Sequence, residues 1–451
     1  MKRSRDDSAE IPGKYSLENK KRELGGESCR IDPQDLLAKV SKPDIQEIAE
    51  KYPNVREYVQ DGGYFDYSSL EANYVLAETL LECYFDLSIK LSRDHLCPRI
   101  ANRLDYVLWI CRVAGVGSRD SITAIDIGVG ASCIYPLLLT SVLRGCTVYG
   151  LDINDGSIDY AASIVRDNGL RDRIKLIKKH PSPILGYDCE QLQSVFENPV
   201  KFTMCNPPFY SSIQELQQSS QVKIQGPTTP LTAADSELFT SGGEEQFTLQ
   251  MLKESLQHSG GSGDLRGLSK VEWFSTMVGK LSTLETLVQE LRNSKIDNYA
   301  IHQINHGKTR RWTIAWSFGT KRVSHDVDAR SQAPSLKSLN PPLTESVVES
   351  SHSLSRSVET IRELLKGISG RVEDMGTGFF VSVPGNVWSR AYRRQKIAKG
   401  GPSSFRISVR DCVDVRQIHI KWANGSNYAV YDSFVGMISK ASVTGQSTRQ
   451  P

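Results

Sequence analysis

The sequence predicts an α/β fold built on a doubly wound, mostly parallel sheet. Two short apolar runs, ITAIDIG at 122–128 and TVYGLDI at 147–153, have the composition of buried strands, and each precedes a longer segment with apolar residues at helical spacing. A Gly-rich turn joins the first of these strands to its helix. Strands and helices that alternate in this way form parallel pairs through right-handed crossovers.

Each element follows from its own pattern. Helical periodicity precedes the first strand in three segments, PDIQEIAEKYPNVREYV with a break near Pro53, SSLEANYVLAETLLECYF and RIANRLDYVLWICRVAG. The strands that follow are ITAIDIG, TVYGLDI, RIKLIKK, KFTMCN and VEWFSTMVG, and then the antiparallel pair NYAIHQI and RRWTIAWSF. The helices between them are CIYPLLLTSVLRG, GSIDYAASIVRDNGL, EEQFTLQMLKESL and LSTLETLVQELRNSK.

Composition divides the chain into several parts, because polar, Pro-rich and Ser-rich stretches interrupt the periodic segments. A second, smaller α/β unit is predicted from helices SVETIRELLKGI and SNYAVYDSFVGMISKA and strands GFFVSVPG, SFRISVRD and RQIHIKWA. The predicted parts are a flexible basic leader (1–45), a main domain (46–320) with a flexible insertion (211–243), a linker (321–344), a small basic C-terminal domain (345–440) and a tail (441–451).

Overall composition is that of a soluble globular protein, with 39% hydrophobic and 24% charged residues among 451 and a net charge of +3. The nine cysteines form no CxxC pair and no Cys/His cluster, which argues against a zinc site and against disulfides. No stretch approaches the ~20 apolar residues of a membrane span. Short basic groups at 2–5 and 19–22 are compatible with nuclear import, so we expect a nuclear protein that can also be cytoplasmic.

The first turn, in AIDIGVGASCIYPLLL, contains Asp126 at the end of the strand and Gly128 and Gly130 before the helix. Such a turn lets a ligand approach the backbone amides of a helix N-terminus, although a generic strand-to-helix turn has the same composition. The third glycine of a dinucleotide fingerprint is replaced by Cys133, which argues against NAD.

Asp152 follows the second strand, where a carboxylate can accept hydrogen bonds from ribose hydroxyls. The alternative is that Asp152 caps the helix near Gly156. A ribose-binding acid without a pyrophosphate fingerprint suits an adenosine ligand such as S-adenosylmethionine. Its carboxylate needs a cationic partner, and Arg103 is a candidate, although helix arginines are commonly solvated.

The stretch KFTMCNPPFYSS at 201–212 places Asn206 at the end of the fourth strand, in the same crevice as the glycine turn. The lone pair of an exocyclic amine such as adenine N6 is delocalised into the ring. Acceptors at the Asn206 side chain and the Pro207 carbonyl can favour the tetrahedral amine that attacks a methyl group. Pro207 and Pro208 stiffen the turn, and either Phe209 or Tyr210 can stack on a flipped base. A plain Asn-Pro turn with buried aromatics is the alternative.

Several motifs resemble the RNA adenine-N6 methyltransferases that modify U6 spliceosomal RNA and their bacterial ribosomal-RNA relatives. They are RLDYVLWI, DIGVGASCIYPLL, CNPPFY, GGEEQF and GKTRRWTIAWSF, between about Lys51 and Phe318. The resemblance implies a Rossmann-like class I methyltransferase sheet with an N-terminal helical extension. It implies S-adenosylmethionine as cofactor, residues 206–209 as the catalytic tetrad, and a pocket that includes Arg103, Gly128, Ser132, Asp152 and Asn206. Asp126, Gly130 and Ser182 are further predicted members of this pocket.

Two departures from the family pattern stand out. Asp152 replaces a glutamate, and its shorter carboxylate can still reach a ribose. In the loop KKHPSPIL, the family has a lysine-containing segment that can obstruct the cofactor pocket, where this chain has residues 181–183. Self-inhibition through that loop is therefore not expected here.

Two basic segments predict contact with RNA phosphates. Residues 301–322 contain no Asp or Glu and include Lys308, Arg310, Arg311 and Trp312, together with Lys321, Arg322 and two histidines. Residues 386–421 contain nine Lys or Arg against two Asp, and include Arg393, Arg394 and Lys396. Ordinary solvated surfaces are the alternative in both cases.

The predicted function is transfer of a methyl group from S-adenosylmethionine to adenosine N6 in structured RNA, with U6 small nuclear RNA as partner. One alternative is a methyltransferase acting on another planar amine or amide, in ribosomal RNA, DNA or a protein glutamine. The other is a non-catalytic RNA-binding protein that keeps the fold as a scaffold.

Overall fold

The computed structural model describes residues 32–209, 239–259, 268–307, 310–323, 333–350, 352–412 and 416–444. The leader up to residue 31, positions 210–238 of the insertion, Lys308 and the last seven residues lie outside these ranges. No helix of the described part is both long and apolar enough to span a membrane.

The N-terminal extension is helical, as predicted. Its helices are α1 (Pro33–Ser41), α2 (Ile45–Lys51), α3 (Pro53–Arg56), α4 (Leu70–Phe85) and α5 (Ile100–Val113). Asp44 caps α2 by accepting from two backbone amides, and the chain breaks at Pro53 because proline cannot continue the preceding turn. The predicted flexible leader extends too far, since α1 lies within it and Val40 is buried in the core.

Seven strands form the main sheet, in the order β3-β2-β1-β4-β5-β7-β6. The first five pair in parallel, whereas β7 is antiparallel to both β5 and β6, so the predicted Rossmann-like sheet with a terminal antiparallel pair is confirmed. The strands are β1 (Ser121–Ile127), β2 (Gly145–Asp152), β3 (Ile174–Lys178), β4 (Val200–Cys205), β5 (Val271–Val278), β6 (Tyr299–Ile304) and β7 (Arg311–Trp316).

Helices cover both faces of this sheet: α6 (Ile134–Val142), α7 (Asp155–Asp167), α8 (Glu190–Phe196), α9 (Gly243–Ser259) and α10 (Leu281–Asn293). The short α8 was not predicted. Helices α5, α6 and α7 pack with one face of the sheet in one core cluster. Helices α8, α9 and α10 pack with the other face in a second cluster. The fully buried Leu138 and Leu287 represent these two layers. Burial on both faces explains the continuous apolar runs of the strands.

The register of the strands places the first residues after β1, β2 and β4 side by side at one edge of the sheet. Ile127 aligns with Leu151 of β2 and with Cys205 of β4, so that Gly128, Asp152 and Asn206 are the next residues on three adjacent strands. The strand order reverses between β1 and β4, and open parallel sheets bind ligands at such a switch point.

The C-terminal unit is a second, smaller α/β layer. Its five strands are all antiparallel, in the order β8-β12-β11-β10-β9. Two helices, α11 (Leu354–Lys366) and α13 (Tyr428–Thr444), pack against the sheet. The strands are β8 (Glu345–Ser350), β9 (Arg371–Asp374), β10 (Gly378–Val383), β11 (Ser403–Asp411) and β12 (Arg416–Gly425), with a short helix α12 (Arg390–Gln395) before β11. Sequence periodicity missed β8, β9 and α12.

The described parts of 321–344 are packed, which corrects the prediction of a plain linker. Leu336 is fully buried in a core of the main domain. The hydroxyl of Tyr299 donates to the Leu339 carbonyl oxygen at 3.0 Å, and Arg292 Nη2 donates to the Ser338 carbonyl oxygen at 2.8 Å. Buried leucines fix this segment in spite of its Ser- and Pro-rich composition.

Candidate active site

The turn after β4 carries the predicted NPPF motif at 206–209. Pro207 is buried and the other three residues are half-buried. The amide of Cys205 donates to the hydroxyl of Tyr106 on α5 at 3.4 Å, and that hydroxyl lies 2.8 Å from Ser275 Oγ on β5. Within the described residues, no donor contacts the Pro207 carbonyl oxygen. The strand end is therefore fixed while one backbone acceptor of the turn stays available.

Arg103 contacts the turn at 206–209 itself, which sequence reasoning did not foresee. Its Nη1 donates to Asn206 Oδ1 and to Tyr135 Oη, both at 2.8 Å. Because a guanidinium only donates, this contact orients the oxygen of Asn206 toward Arg103 and leaves a second lone pair. Over the ranges that the structure describes, Nε and Nη2 of Arg103 have no protein acceptor, so the expected carboxylate partner can still be accommodated.

The glycine turn is joined directly to Asp152. Gly128 and Gly130 have φ of 77° and 62°, conformations that favour glycine. The Gly130 amide donates to Asp152 Oδ2 at 2.8 Å, while the amides of Ile153 and Asn154 donate to Oδ1. The cap of α7 is Asn154, so the alternative in which Asp152 caps this helix is wrong. Ser132 lies half-buried in the same turn.

Asp126 is a buried acid in β1. Its side chain is fully buried, and neither carboxylate oxygen has a hydrogen-bond partner among the residues that the structure describes. Burial and the charge of Asp152 together raise the pKa of Asp126 to about 8, and the charge of Arg103 opposes them. Buried polar groups are almost always paired, so this carboxyl is the strongest sign of a missing ligand with a donor or a positive charge.

Two buried side chains, Lys179 and Glu254, hold the loop after β3 by hydrogen bonds to its backbone. Lys179 is buried, and its Nζ donates to the carbonyl oxygens of His180 and Pro183 at 2.6 and 2.8 Å. Burial lowers the pKa of this lysine. From α9, Glu254 accepts hydrogen bonds from the amides of residues 184 and 185. Ser182 is exposed in this loop, so its predicted place in the pocket stays a prediction.

A second carboxylate of α9 supports the turn below Phe209. Glu244 is 1% exposed and accepts from the amides of Gly279 and Lys280 at 2.5 and 3.2 Å. A Cβ on Gly279 would lie 3.3 Å from the Phe209 ring and 3.0 Å from Glu244 Oε2. Phe209 therefore packs where only a glycine leaves room, and the guanidinium carbon of Arg311 lies 5.3 Å from its ring centroid.

The side chains of the predicted basic segment at 301–322 differ widely in their exposure to solvent. Arg310 is exposed and Arg311 reaches Phe209, but Trp312 is only 9% exposed and its indole faces the core. Trp312 belongs to a core cluster of the main domain. Its predicted contribution to RNA contact is therefore limited to packing beneath the basic residues. Arg322 is also buried and ion-paired with Asp297.

The two histidines of this segment hold a buried acid. Nε2 of His302 lies 3.1 Å from Asp105 Oδ1, and Nε2 of His306 lies 2.8 Å from Oδ2. Burial would raise the pKa of Asp105, but the histidines hold it at about 2. The ring of His302 also stacks on Trp109. Sequence reasoning missed this cluster, although an acid on the apolar face of α5 was a signal for it.

The C-terminal basic residues lie on a short exposed helix. Arg393 and Arg394 belong to α12 and Lys396 follows it, all exposed and without an acidic partner in the described part of the chain. Arg406 and Arg410 are exposed on β11, on the face opposite the buried Phe405 and Ile407. The described residues contain no cluster of three or more acidic, His or Cys side chains that could hold a metal ion.

Known proteins share this architecture. A family model described as RNA methyltransferase matches residues 37–320. The U6 small nuclear RNA (adenine-(43)-N(6))-methyltransferase of Schizosaccharomyces pombe is 28% identical over 394 residues, which cover 84% of this chain and 95% of that protein. Human RNA N(6)-adenosine-methyltransferase METTL16 is 33% identical over 285 residues, 61% of this chain and 48% of that protein. This chain thus spans nearly all of the yeast relative and about half of the human one.

A solved structure is similar over the same region. The crystal structure of the hMettl16 catalytic domain in complex with MAT2A 3'UTR hairpin 1 has a TM-score of 0.52 and 31% identity. The match covers 61% of this chain and 92% of that one.

Proposed function

Because the chain belongs to the RNA methyltransferase family, we propose that it transfers a methyl group from S-adenosylmethionine to N6 of an adenosine in structured RNA. The observation that carries the proposal is the common level of Gly128, Asp152 and Asn206 at the switch point of the sheet. The similarity to the yeast enzyme over most of both chains favours U6 small nuclear RNA as the substrate.

The residues of the crevice fit S-adenosylmethionine. The orphaned carboxyl of Asp126 suits an ammonium group, the free nitrogens of Arg103 suit a carboxylate, and Asp152 suits ribose hydroxyls. Gly128, Gly130 and Ser132 would form the wall along the adenosine and methionine parts. When bound, this cofactor supplies an electrophilic methyl group.

The catalytic turn orients the amine. Asn206 Oδ1 keeps one lone pair beside its bond from Arg103, and the Pro207 carbonyl oxygen has no described protein donor. Two acceptors for the two N6 hydrogens draw the nitrogen toward a tetrahedral geometry, in which its lone pair can attack. Because the turn is held through Tyr106 and Arg103, little reorganisation is needed at the moment of reaction.

The target base is held by Phe209. Enzymes that act on a base stack the flipped base on aromatic or apolar side chains. Gly279 and Arg311 fix the Phe209 ring, so that it can serve as a preformed platform. The exposed Arg310 and the α12 residues Arg393, Arg394 and Lys396 would contact phosphates of the same RNA.

The direct test is Asn206→Ala in a methylation assay with U6 RNA and labelled S-adenosylmethionine. We expect wild type to form N6-methyladenosine and the variant to lose about 10²-fold or more in kcat, since an oriented polar group is removed from the transition state. Cofactor binding of the variant, measured by calorimetry, controls for folding. Absence of N6-methyladenosine with wild type, or methylation of DNA or protein glutamine instead, would contradict the proposal.

We also propose that the protein acts in the nucleus. The short basic groups near the N-terminus support this, as does the nuclear nature of the proposed RNA substrate. Imaging of a fluorescent fusion with and without residues 2–22 tests it, and exclusion of the intact fusion from the nucleus would contradict it.

A further inference from the structure

The connection between the two domains contains a buried cation. The side chain of Arg322 is 2% exposed. Its Nη1 lies 2.8 Å from Oδ1 of Asp297, in the main domain between α10 and β6. Its Nε donates to the Gly425 carbonyl oxygen at 2.8 Å, and its guanidinium carbon lies 3.7 Å from the centroid of the Trp422 ring, both on β12. One guanidinium therefore joins the two domains.

Backbone hydrogen bonds surround this contact. The Arg322 amide donates to the Ala423 carbonyl oxygen at 3.0 Å, and the Gly425 amide donates to the Thr320 carbonyl oxygen at 2.8 Å. Lys321 and Asn424 form an antiparallel bridge between these bonds. The chain leaving the main domain thus adds a short strand-like segment to the end of β12.

The main domain holds the same segment from its other side. Nδ2 of Asn298 donates to the carbonyl oxygens of Gly319 and Lys321, both at 3.0 Å. Where the chain enters the C-terminal sheet, the Trp422 amide donates to the Thr344 carbonyl oxygen at 2.7 Å. Residues 319–323 are therefore bonded to both domains.

Neither domain alone can satisfy Arg322. A buried guanidinium is costly unless its charge and its donors are matched, and its acid lies in one domain while its carbonyl and aromatic partners lie in the other. Separation of the domains would also remove the guanidinium from the ring of Trp422, which belongs to the core of the C-terminal domain. The docked arrangement is the one in which these groups are all paired.

We propose that Arg322 is a positioning residue that fixes the C-terminal domain on the methyltransferase domain, so that α12 and the catalytic turn bind one RNA at a single separation. This rests on the proposed function. A flexible tether would let the two basic surfaces adapt to many RNAs. A fixed separation makes methylation depend on the spacing between the target adenosine and the RNA segment bound by the C-terminal domain.

The first test measures the docking itself. Spin labels at Glu285→Cys on α10 and Asp432→Cys on α13, both exposed positions, report the distance between the domains of the full chain, with Cys29 and Cys412 replaced by serine. We expect one narrow distance distribution for the parent protein and a broad one for Arg322→Ala. A Gly-Ser insertion between Pro342 and the exposed Leu343 lengthens the connection from Leu339 in the main-domain core to β8 but keeps Arg322, and is expected to leave the distribution narrow.

A broad distribution in the parent, or a narrow one in Arg322→Ala, would overturn the proposal. So would an insertion that broadens the distribution as much as loss of Arg322. Asp297→Asn, which keeps a hydrogen-bond acceptor but removes the charge, is the second variant in case Arg322→Ala folds poorly. It is expected to give an intermediate width with an unchanged circular dichroism spectrum.

The second test measures the consequence for RNA. With a hairpin that reaches only the catalytic turn, we expect Arg322→Ala to keep the parent kcat and KM. With a longer RNA that also reaches α12, we expect an unchanged kcat and a KM about fivefold or more higher, because the effective concentration of the second surface falls. Equal KM changes for both RNAs would overturn the proposal. If neither RNA is methylated, the proposed function fails while the distance measurement still decides the docking.

Discussion

Asp126 is the carboxylic acid of the site whose pKa departs most from its ordinary value. Its carboxyl is fully buried on β1, and no donor in the described part of the chain satisfies it. Burial and the nearby Asp152 raise its pKa to about 8. Near neutral pH this carboxyl is therefore largely protonated in the free protein, and a ligand that brings a positive charge has to displace the proton.

The first prediction concerns this proton. In the unfolded chain the Asp126 carboxyl ionises near pH 4, but in the folded chain only near pH 8, so the free protein loses stability as pH rises between about 4 and about 8. The affinity for S-adenosylmethionine should rise with pH up to about 8, with release of a proton. Calorimetry in buffers of different ionisation enthalpy measures that release.

Asp126→Asn is the matched variant for this effect. It should bind the cofactor about 10- to 100-fold more weakly, because a charge-assisted hydrogen bond is lost, and its affinity should no longer vary with pH in this range. An unchanged pH dependence in the asparagine variant would show that another group titrates.

Helix α5 connects two functional elements. Arg103 on this helix orients Asn206, and Asp105, two residues later, holds both histidines of the segment that leads from β6 toward Arg310. The sequence places these residues in one short motif, RLDY. A single helix thereby sets the position of the turn at 206–209 and of the basic segment that we propose contacts RNA.

The second prediction follows for Asp105→Asn. A neutral amide cannot accept strong hydrogen bonds from both histidines, so the free energy of unfolding should fall by about 1.5–3 kcal/mol. RNA affinity should decrease as the segment loosens, while the cofactor affinity stays the same. Chemical denaturation and RNA titration measure these effects, with the exposed Asp94→Asn as control. Equal losses of cofactor and RNA binding would indicate general unfolding instead.

Helix α12 supplies the third prediction. Replacing Arg393, Arg394 and Lys396 by alanine should weaken RNA binding and lower the slope of log affinity against log salt by about 2–3, because released counterions accompany each phosphate contact. Arg371→Ala in the same domain is the control, since that side chain is exposed but paired with Glu373. A salt slope unchanged by the triple substitution would remove α12 from the RNA-binding surface.

Across the whole molecule, the sequence predicted those features of the fold that depend on hydrophobic periodicity and on the succession of strands along the chain. The succession of strands and helices along the chain could be predicted, and so could the common edge of Gly128, Asp152 and Asn206, because parallel strands place their carboxyl ends at one edge. The order of the strands within the sheet was not predicted. Whether an individual polar or aromatic side chain is buried or exposed could not be predicted. Arg322, Trp312 and His302 look like surface groups in the sequence, and only the tertiary partners Asp297, Gln303 and Asp105 assign them to the interior.

Short helices and strands were not predicted from the sequence for a related reason. Strand β9 has four residues and helix α12 has six, too few for a period to be recognised, and α1 has a polar sequence with one buried side chain, Val40. Strand β9 is held by its pairing with β10, α12 is capped by Ser389, and α1 is anchored by Val40. The linker prediction for 321–344 failed in the same way, because composition does not reveal that Leu336 lies in a core.

The two carboxylates of α9 carry an implication for how the site can change. Glu244 supports the turn under the base platform, and Glu254 supports the loop beside the cofactor crevice, both by accepting hydrogen bonds from backbone amides. A backbone amide cannot be mutated to match a new side chain, so neither glutamate has a compensating substitution at its partner. In a saturation mutagenesis screen, these two positions should tolerate almost no replacement, although neither belongs to the residues that would touch cofactor or RNA.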